Sequence, residues 1–292
     1  MLLKEIKMMK EIIISSMVNW IEENSDKNIT IDDLSIVTGY SNRSLHNFFK
    51  EKYNITLGKY IRQRRLSRSA MLLRLTSQSI THIALSSGFD SVQSYSREFK
   101  KAFGLNPRDY RRNKTWYLAK LQPKLPLGSH ESIRFDICWL PYKRLIGQQS
   151  NYQLSTSKLP AIISPQKGLR ILKAMRQWRQ DIYCTSSFAP CHKRDDAIAI
   201  SSFIGIQGDK VPSSDGMMIS SCIEPGKYIK FDFTGNWEQY QVFSLRLYME
   251  VLSKHAFVRR IGHDIERFSY INESDTDQTV QKIKLEHYIP IE

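Results

Sequence analysis

Positively charged side chains are concentrated in one segment of this 292-residue chain. Between Arg43 and Arg112 there are 15 lysines and arginines against 4 acidic residues, a net charge of +11 out of +14 for the whole protein. Such side chains neutralise phosphates, and arginine can also bond guanine through two hydrogen bonds, so a local excess is typical of a surface that binds a polyanion. A solvated basic face is the alternative interpretation of charge alone.

Residues that could bind a metal or carry out covalent catalysis form no recognisable set. The four cysteines are scattered, and Cys184, Cys191 and the adjacent His192 have no second pair of ligands in the sequence. The sequence has no HExxH pattern, phosphate-binding loop or nucleophile elbow. We therefore expect free thiols, no metal or other cofactor, and no enzymatic activity.

The basic segment contains one pattern twice, and this repeat indicates how its side chains are positioned. Each copy has two apolar residues, a glycine and two further apolar residues four apart: Ile31, Leu34, Gly39, Leu45 and Phe49, then Ile80, Ile83, Gly88, Tyr95 and Phe99. The offset is 49 up to the glycine and 50 beyond it, so the second turn has one extra residue. A glycine that can adopt positive φ between two such segments predicts a helix-turn-helix motif. Two recognition helices are thus expected on one DNA face without dimerisation.

Further helical patterns precede and join the two motifs. Residues 9–24 predict an amphipathic first helix. Thr56–Leu75 has no glycine after position 58 and no proline, which predicts one helix about 30 Å long. That length is close to the ~34 Å between successive major-groove positions on one face of B-DNA. We expect a rigid spacer, although a core helix that joins two small bundles would give the same pattern.

The pattern changes after Arg112. Residues 113–132 contain prolines and a glycine with little periodicity and predict a linker. Residues 133–292 predict an α+β domain with a mainly antiparallel sheet and helical windows at Gly168–Ile182 and Trp237–Leu252. Strands are predicted at 133–140, 144–153, 197–207, 217–223, 227–234, 264–270 and 282–289. The predicted organisation is an all-α domain over 9–112, the linker, and the α+β domain over 133–292. Because the N-terminus is typical of neither a signal peptide nor a membrane span, we expect a cytoplasmic protein.

Several segments of the basic region resemble the AraC/XylS transcription regulators over about 100 residues: Gly39–Ser41, Tyr60–Leu66, Ile83–Ala84, Gly88–Ser91 and Phe99–Arg112. Residues 261–268 and 288–291 resemble the GyrI-like domain. The order of the two domains is that of the Rob-like members of the family. The resemblance implies an all-α domain with two helix-turn-helix motifs joined by a long helix, and a GyrI-like α+β domain of two strand-helix-strand-strand units.

The resemblance also implies monomeric binding to an asymmetric promoter site, with the second helix of each motif in a major groove. The residues implied to contact base edges are Asn42, Arg43, His46 and Asn47 in the first motif and Val92, Gln93, Ser96 and Arg97 in the second. Better placed for phosphates are Lys50, Arg62, Lys100, Lys101, Arg111 and Arg112. Plain helix surface is the alternative for the polar positions. Rob-like members usually have Trp, Gln and Arg where this chain has Arg43, His46 and Asn47, so base preference at the first half-site is expected to differ.

In the second domain the resemblance implies a cleft for amphipathic or cationic organic molecules. Strand alternation places Glu266, Phe268 and Tyr270 on one face, and Glu286 and Tyr288 on one face of the next strand. An aromatic surface beside a carboxylate suits a desolvated organic cation. The expected ligand-binding residues are Trp139, Glu266, Phe268, Tyr270, Glu286 and Tyr288. A solvent-facing strand surface is the alternative for the two glutamates.

Together these patterns predict a sequence-specific DNA-binding transcription regulator that is not an enzyme. Its expected partners are double-stranded promoter DNA, RNA polymerase and a small-molecule inducer, with no membrane. The resemblance implies an activator of stress, multidrug-efflux or envelope-defence genes. The alternative is a protein that binds or sequesters small molecules through its C-terminal half, with DNA contact secondary. Some GyrI-like relatives are hydrolases, so an enzymatic role for that half is a third and least favoured hypothesis.

Overall fold

The structure, a computed structural model, divides the chain into two compact units. It describes residues 2–24, 27, 29–113, 116–117, 120–125, 133–156, 165–208, 217–252, 254–255, 257–270 and 282–292. The N-terminal unit comprises 1–74, 78–113 and 120–132, and the C-terminal unit comprises 75–77, 114–119 and 133–292. None of the helices in these ranges combines the length and the apolar character that a membrane span requires.

The N-terminal unit is helical, which confirms the predicted all-α class. Its helices are α1 (Leu2–Glu23), α2 (Ile31–Thr38), α3 (Asn42–Tyr53), α4 (Leu57–Leu75), α5 (Ile80–Ser86), α6 (Val92–Phe103) and α7 (Pro107–Arg112). The predicted start of the first helix at residue 9 is wrong. Residues 2–8 contain Leu, Lys, Glu, Ile and Met, which are helix-forming or helix-compatible residues, and no Gly or Pro interrupts them.

Helix α4 connects the two motifs, because its N-terminal end contacts the first motif and its C-terminal end contacts the second. Near its N-terminus, Tyr60 is fully buried in the first core, with its ring 5.4 Å from that of Phe49. Near its C-terminus, the Leu73 carbonyl accepts a 3.1 Å hydrogen bond from Nε of Arg111 in α7. Residues 120–125 of the predicted linker lie along the same helix, where the Gln122 amide donates to Oγ of Ser67 at 2.7 Å. Both motifs and their connecting helix therefore belong to one packed body.

The C-terminal unit is built on an eight-stranded antiparallel sheet, which confirms the predicted α+β class. Its elements are β1 (Trp116–Tyr117), β2 (Asp136–Leu140), β3 (Lys143–Ser155), α8 (Pro165–Trp178), β4 (Ile182–Pro190), β5 (Ala197–Gln207), β6 (Ile219–Ile223), β7 (Gly226–Gly235), α9 (Trp237–Arg246), a π-helical turn (Leu247–Leu252), β8 (Val258–Arg259), β9 (Asp264–Phe268) and β10 (Ile283–Pro290). The strand order is β2-β7-β10-β9-β4-β5-β3-β6, and β1 pairs with β8 separately.

The sheet consists of two similar halves, β3-α8-β4-β5 and β7-α9-β9-β10. In each half the last strand in the sequence lies between the other two and pairs with both. The halves meet where β4 pairs with β9. The two predicted strand-helix-strand-strand units are thus confirmed. The outermost strands are exchanged, because β2 precedes the first half but pairs with β7, and β6 precedes the second half but pairs with β3.

One central strand, β4, is missing from the predicted strands. Five consecutive residues from Ile182 to Ser186 are buried, because this strand lies in the middle of the sheet with both faces covered. Such a strand lacks the apolar–polar alternation that indicates a half-exposed one. The preceding helix also ends earlier than predicted, at Trp178, where Arg179 adopts a left-handed φ of 50°.

Candidate nucleic-acid interface and ligand site

The turn of each helix-turn-helix motif depends on a glycine with positive φ. Gly39 and Gly88 have φ values of 73° and 74°, a region that side chains with a Cβ rarely adopt. The Gly39 amide bonds the Ser35 carbonyl at 2.9 Å, and the Phe89 amide bonds the Ala84 carbonyl at 3.1 Å, so each turn closes its own helix.

A serine begins each recognition helix. Oγ of Ser41 accepts from the Ser44 amide at 3.3 Å, and Oγ of Ser91 accepts from the Ser94 amide at 3.1 Å. One residue lies between Gly39 and its N-cap and two lie between Gly88 and its own, which accounts for the extra residue in the second copy. These N-caps put α3 and α6 in the same register relative to their motifs.

Buried side chains fix which face of α3 points outward. Leu45 and Phe49 are fully buried, one helical turn apart, so they mark the face of α3 that packs on the core. Arg43 and Asn47 are exposed and His46 is half-buried on this outer face. Asn42 is exposed as well, but its amide donates a 2.6 Å hydrogen bond to Oδ1 of Asp32 in α2. Three of the four expected base-contacting side chains of this helix are thus presented without such a bond to the preceding helix.

Helix α6 presents the equivalent positions. Tyr95 and Phe99 are fully buried, and Gln93 and Arg97 are exposed on the opposite side. The other two expected residues of this helix, Val92 and Ser96, are half-buried. Hence the two exposed members of this set are the arginine and the glutamine, which can each make two hydrogen bonds to one base.

Five of the six residues expected at phosphates are exposed: Lys50, Arg62, Lys100, Lys101 and Arg112. Arg111 differs, because its guanidinium also donates to the Gln78 carbonyl at 2.5 Å and so attaches α7 to the segment that follows α4. Burial lowers the pKa of Arg111 from its ordinary value. Arg111 therefore stabilises the packing of α7 within the unit. A phosphate contact by this residue stays a prediction.

Sequence reasoning missed the buried ion pair that attaches α1 to α4. Both carboxylate oxygens of Glu22 accept from Arg64, and Oε1 also accepts from the Tyr60 hydroxyl at 3.0 Å. Burial disfavours the charge on Arg64, but Glu22 outweighs it, so the pKa of the guanidinium is raised. The spacing of Tyr60 and Arg64, four residues apart on one helix face, was the available signal, but nothing in the sequence identifies Glu22 as their partner.

The six expected ligand-binding residues of the C-terminal unit do not lie together. Glu266 and Phe268 face the side of the sheet that packs against α8 and α9. Glu286 and Tyr288 point to the other side, because in the register of β9 and β10 they pair with Arg267 and Ile265. Tyr270 packs against the core beneath the two helices, and Trp139 lies on the edge strand β2 with 71% of its surface exposed. The structure therefore places the expected ligand-binding residues on both faces of the sheet, so they do not form one site.

Glu286 is engaged in a polar network on its side of the sheet. Its carboxylate accepts from Arg267 at 3.0 Å, from Lys230 at 3.1 Å and from the Tyr288 hydroxyl at 2.8 Å. Burial would raise the pKa of Glu286, but these donors outweigh it and the pKa is lowered. The charge of this glutamate is compensated by neighbouring strands.

Glu266 is the centre of a buried cluster whose other members come from three elements. Its carboxylate accepts from Lys167 of α8 and from the hydroxyl of Tyr240 of α9. The same hydroxyl lies 2.9 Å from Nδ1 of His287 in β10, the residue that pairs with Glu266 across the strands. Burial would raise the pKa of Glu266, but the charge of Lys167 and the hydrogen bonds from Lys167 and Tyr240 outweigh it, so the pKa is lowered and the carboxylate stays charged. Sequence reasoning identified Glu266 and missed its three partners.

Comparison with known proteins gives matches to both units. The helix-turn-helix domain family matches residues 34–113, and the GyrI-like small molecule binding domain family matches residues 134–292. Over 204 residues the chain is 36% identical to YkgA of Escherichia coli K12, which bears the name of an HTH-type transcriptional regulator; the match covers 70% of this chain and 85% of that protein. It is 30% identical over 272 residues to the F1 operon positive regulatory protein of Yersinia pestis, covering 92% and 87%. It is 28% identical over 292 residues to the transcriptional regulator Rob of Salmonella typhimurium, covering 96% and 98%.

Proposed function

Because this chain belongs to the AraC-type DNA-binding transcription regulators that carry a GyrI-like small molecule binding domain, we propose that it binds an asymmetric promoter site as a monomer and activates transcription there. In this proposal α3 and α6 enter successive major grooves on one face of the duplex. The observation that carries it is that both recognition helices belong to one packed unit.

The length and anchoring of α4 support two simultaneous contacts. Its 19 residues give a helix of about 28 Å, comparable to the ~34 Å repeat of the major groove. Tyr60 packs into the first core, and the Leu73 carbonyl is bonded by Arg111 near the second. Rotation of one motif against the other would break these contacts. A single polypeptide can thus hold its two helix-turn-helix motifs in a fixed orientation. Because the two recognition helices differ in sequence, the site that they recognise would not be palindromic.

The exposed side chains of each recognition helix suit direct reading of bases. Arg43 and Arg97 can each donate two hydrogen bonds to O6 and N7 of guanine, and Gln93 can bond N6 and N7 of adenine. Exposed lysines and arginines around them, such as Lys50 and Lys100, would contact phosphates and position the helices. Affinity should therefore fall steeply as the salt concentration rises.

Activation, the regulated genes and the partners are inferred from the relatives. The Yersinia pestis relative is named a positive regulatory protein, which favours activation over repression. We propose RNA polymerase as the protein partner, stress, efflux or envelope-defence genes as the targets, and a small molecule bound by the C-terminal unit as the inducer. The family description of a small molecule binding domain supports the last of these.

Site selection from random duplexes, followed by footprinting, tests the proposal. We expect a selected site without two-fold symmetry and protection of about 20 base pairs, which is two turns of the duplex. Light scattering of the complex should give one protein per duplex. Selection of a palindrome, or two protein copies on each site, would refute monomeric binding, and no selection above random sequence would refute sequence-specific recognition.

Replacing Arg97 by alanine is expected to weaken binding by about 1–3 kcal/mol and to relax selectivity at one base pair. The reason is that the exposed guanidinium would lose two hydrogen bonds to one base while the helix, capped and anchored elsewhere, stays folded. Gel shifts against all single-base variants of the selected site measure this. Lys101→Ala is the matched control, because an exposed lysine at a phosphate should weaken every variant alike. Uniform weakening by Arg97→Ala would refute its assignment to a base.

A further inference from the structure

The carboxylate at the centre of the C-terminal unit already has a cation from its own chain. Lys167 and Glu266 are separated by 99 residues, and their side chains are only 9% and 6% exposed. Lys167 is the third residue of α8, where the positive end of the helix disfavours a cation unless an anion is close. Its position is therefore specific to the pairing with Glu266 and is not expected of a surface lysine.

An organic cation could reach Glu266 only by displacing this ammonium group. A displaced Lys167 that stayed in the interior would be a buried charge without a partner, which is far more costly than the original pair. The entering cation would also bring its own desolvation cost. The pair thus opposes cationic ligands, even though a buried carboxylate alone would attract them.

The unsatisfied polar atom of the cluster is an acceptor. The Tyr240 hydroxyl has one proton, which it donates to Glu266, so its 2.9 Å contact with His287 requires Nδ1 of the histidine to be the donor. Burial lowers the pKa of His287 to about 4, so the ring is neutral and Nε2 has no proton. Within the described part of the chain Nε2 has no hydrogen-bond partner, and the histidine is 96% buried. A buried acceptor without a donor is an energetic cost that a ligand could relieve.

Aromatic rings surround the cluster on the side covered by the two helices. The ring of Trp237 lies 5.5 Å from that of Phe268, and Tyr240 lies 6.2 Å from the same ring. Phe268 and Glu266 are on one face of β9, so the apolar surface adjoins the polar cluster. These rings suit the flat apolar body of a ligand, and His287 suits its polar end.

We propose that Lys167 is a tethered cation that excludes free organic cations from Glu266, so that the C-terminal unit selects uncharged aromatic molecules with a hydroxyl or N–H group that donates to Nε2 of His287. This inference rests on the proposed function, since it specifies the ligand class of the small-molecule site. It makes Lys167 a specificity-determining residue.

Three probes that share a naphthalene ring and differ in the polar substituent test whether the C-terminal unit selects uncharged hydrogen-bond donors. They are 1-naphthol, which is neutral and donates a hydrogen bond, 1-methoxynaphthalene, which is neutral and does not, and 1-naphthyltrimethylammonium, which is cationic. Titration calorimetry with the full chain should show 1-naphthol binding at least tenfold more tightly than either other probe. Equal or tighter binding of the cation, or no advantage over the methoxy compound, would overturn the proposal, and this comparison needs no variant.

Lys167→Met tests the role of the lysine directly, because methionine retains most of the side-chain volume without the charge. It should raise the affinity for 1-naphthyltrimethylammonium at least tenfold, and the added substitution Glu266→Gln should abolish the gain. Lys167→Arg keeps the cation and should behave like the unmodified protein. Unchanged cation affinity in a folded Lys167→Met, verified by circular dichroism, would overturn the proposal. Footprinting of the same preparations reports DNA binding independently. If no probe binds any of these proteins, this inference is overturned, while the footprint still decides whether the DNA-binding part of the proposed function holds.

Discussion

Truncating Phe99 to alanine is expected to lower the free energy of unfolding of the second helix-turn-helix motif by about 3–5 kcal/mol. The side chain is fully buried, and its ring lies 4.5 Å from that of Phe103 and 5.2 Å from that of Tyr110. Its removal leaves a cavity between α6 and α7 that these neighbours can only partly fill. The exposed base-contacting side chains of α6 would then lose the support that fixes their orientation.

Native-state hydrogen exchange of peptides from α6 and α7 measures this loss region by region, which a single melting temperature cannot do for a two-unit protein. Lys101→Ala, two residues away and exposed, is the control and should change the opening free energy by less than about 0.5 kcal/mol. A loss below about 1 kcal/mol for Phe99→Ala would mean that this ring is not central to the motif. Peptides from α1 and α2 report whether the first motif is affected.

Glu22→Ala is expected to destabilise the packing of α1 against α4 by about 3–5 kcal/mol. Arg64 and Glu22 have side-chain exposures of 13% and 18%, and Tyr60 shares the same carboxylate. Without Glu22 the guanidinium remains largely buried with no anion beside it. The cost therefore comes mainly from the unpaired charge that is left behind.

Urea denaturation followed by hydrogen exchange in α1 and α4 measures the effect. Glu23→Gln is a close control, since that neighbour is exposed and should change stability by less than about 0.5 kcal/mol. The double variant Glu22→Leu/Arg64→Met should recover much of the loss, because it removes both charges and keeps apolar volume. If the double variant is as unstable as Glu22→Ala, the lost charge partner is not the cause.

The helix-turn-helix repeat was predictable because its determinants are local. Gly39 and Gly88 mark the turns, and the i and i+4 apolar pairs mark the buried faces, so neither needs a distant partner to be recognised. Strand β4 was not predictable in the same way, since a strand buried on both sides has no alternation. The strands that pair with β4, which are β5 and β9, are known only once the sheet is assembled.

The candidate sites show the same division between local and long-range information. The outward position of Arg43 and Arg97 follows from helix periodicity once the buried positions are known. The separation of Glu266 from Glu286 depends on how β9 pairs with β10, and a shift of one residue in that pairing would have placed them together. Lys167 belongs to a helix that reaches Glu266 only in the folded sheet, so the composition of the cluster could not be derived from spacing.

The two halves of the sheet are interlocked, because β2 and β6 each pair with the half that they do not precede in the sequence. Each half has its outer edge completed by the strand that leads into its counterpart, so neither could close its hydrogen-bond ladder if expressed separately. A molecule that stabilises the α8 side therefore also protects the α9 side, because unfolding one strips an edge from the other. The stability of each half therefore depends on the presence of the other.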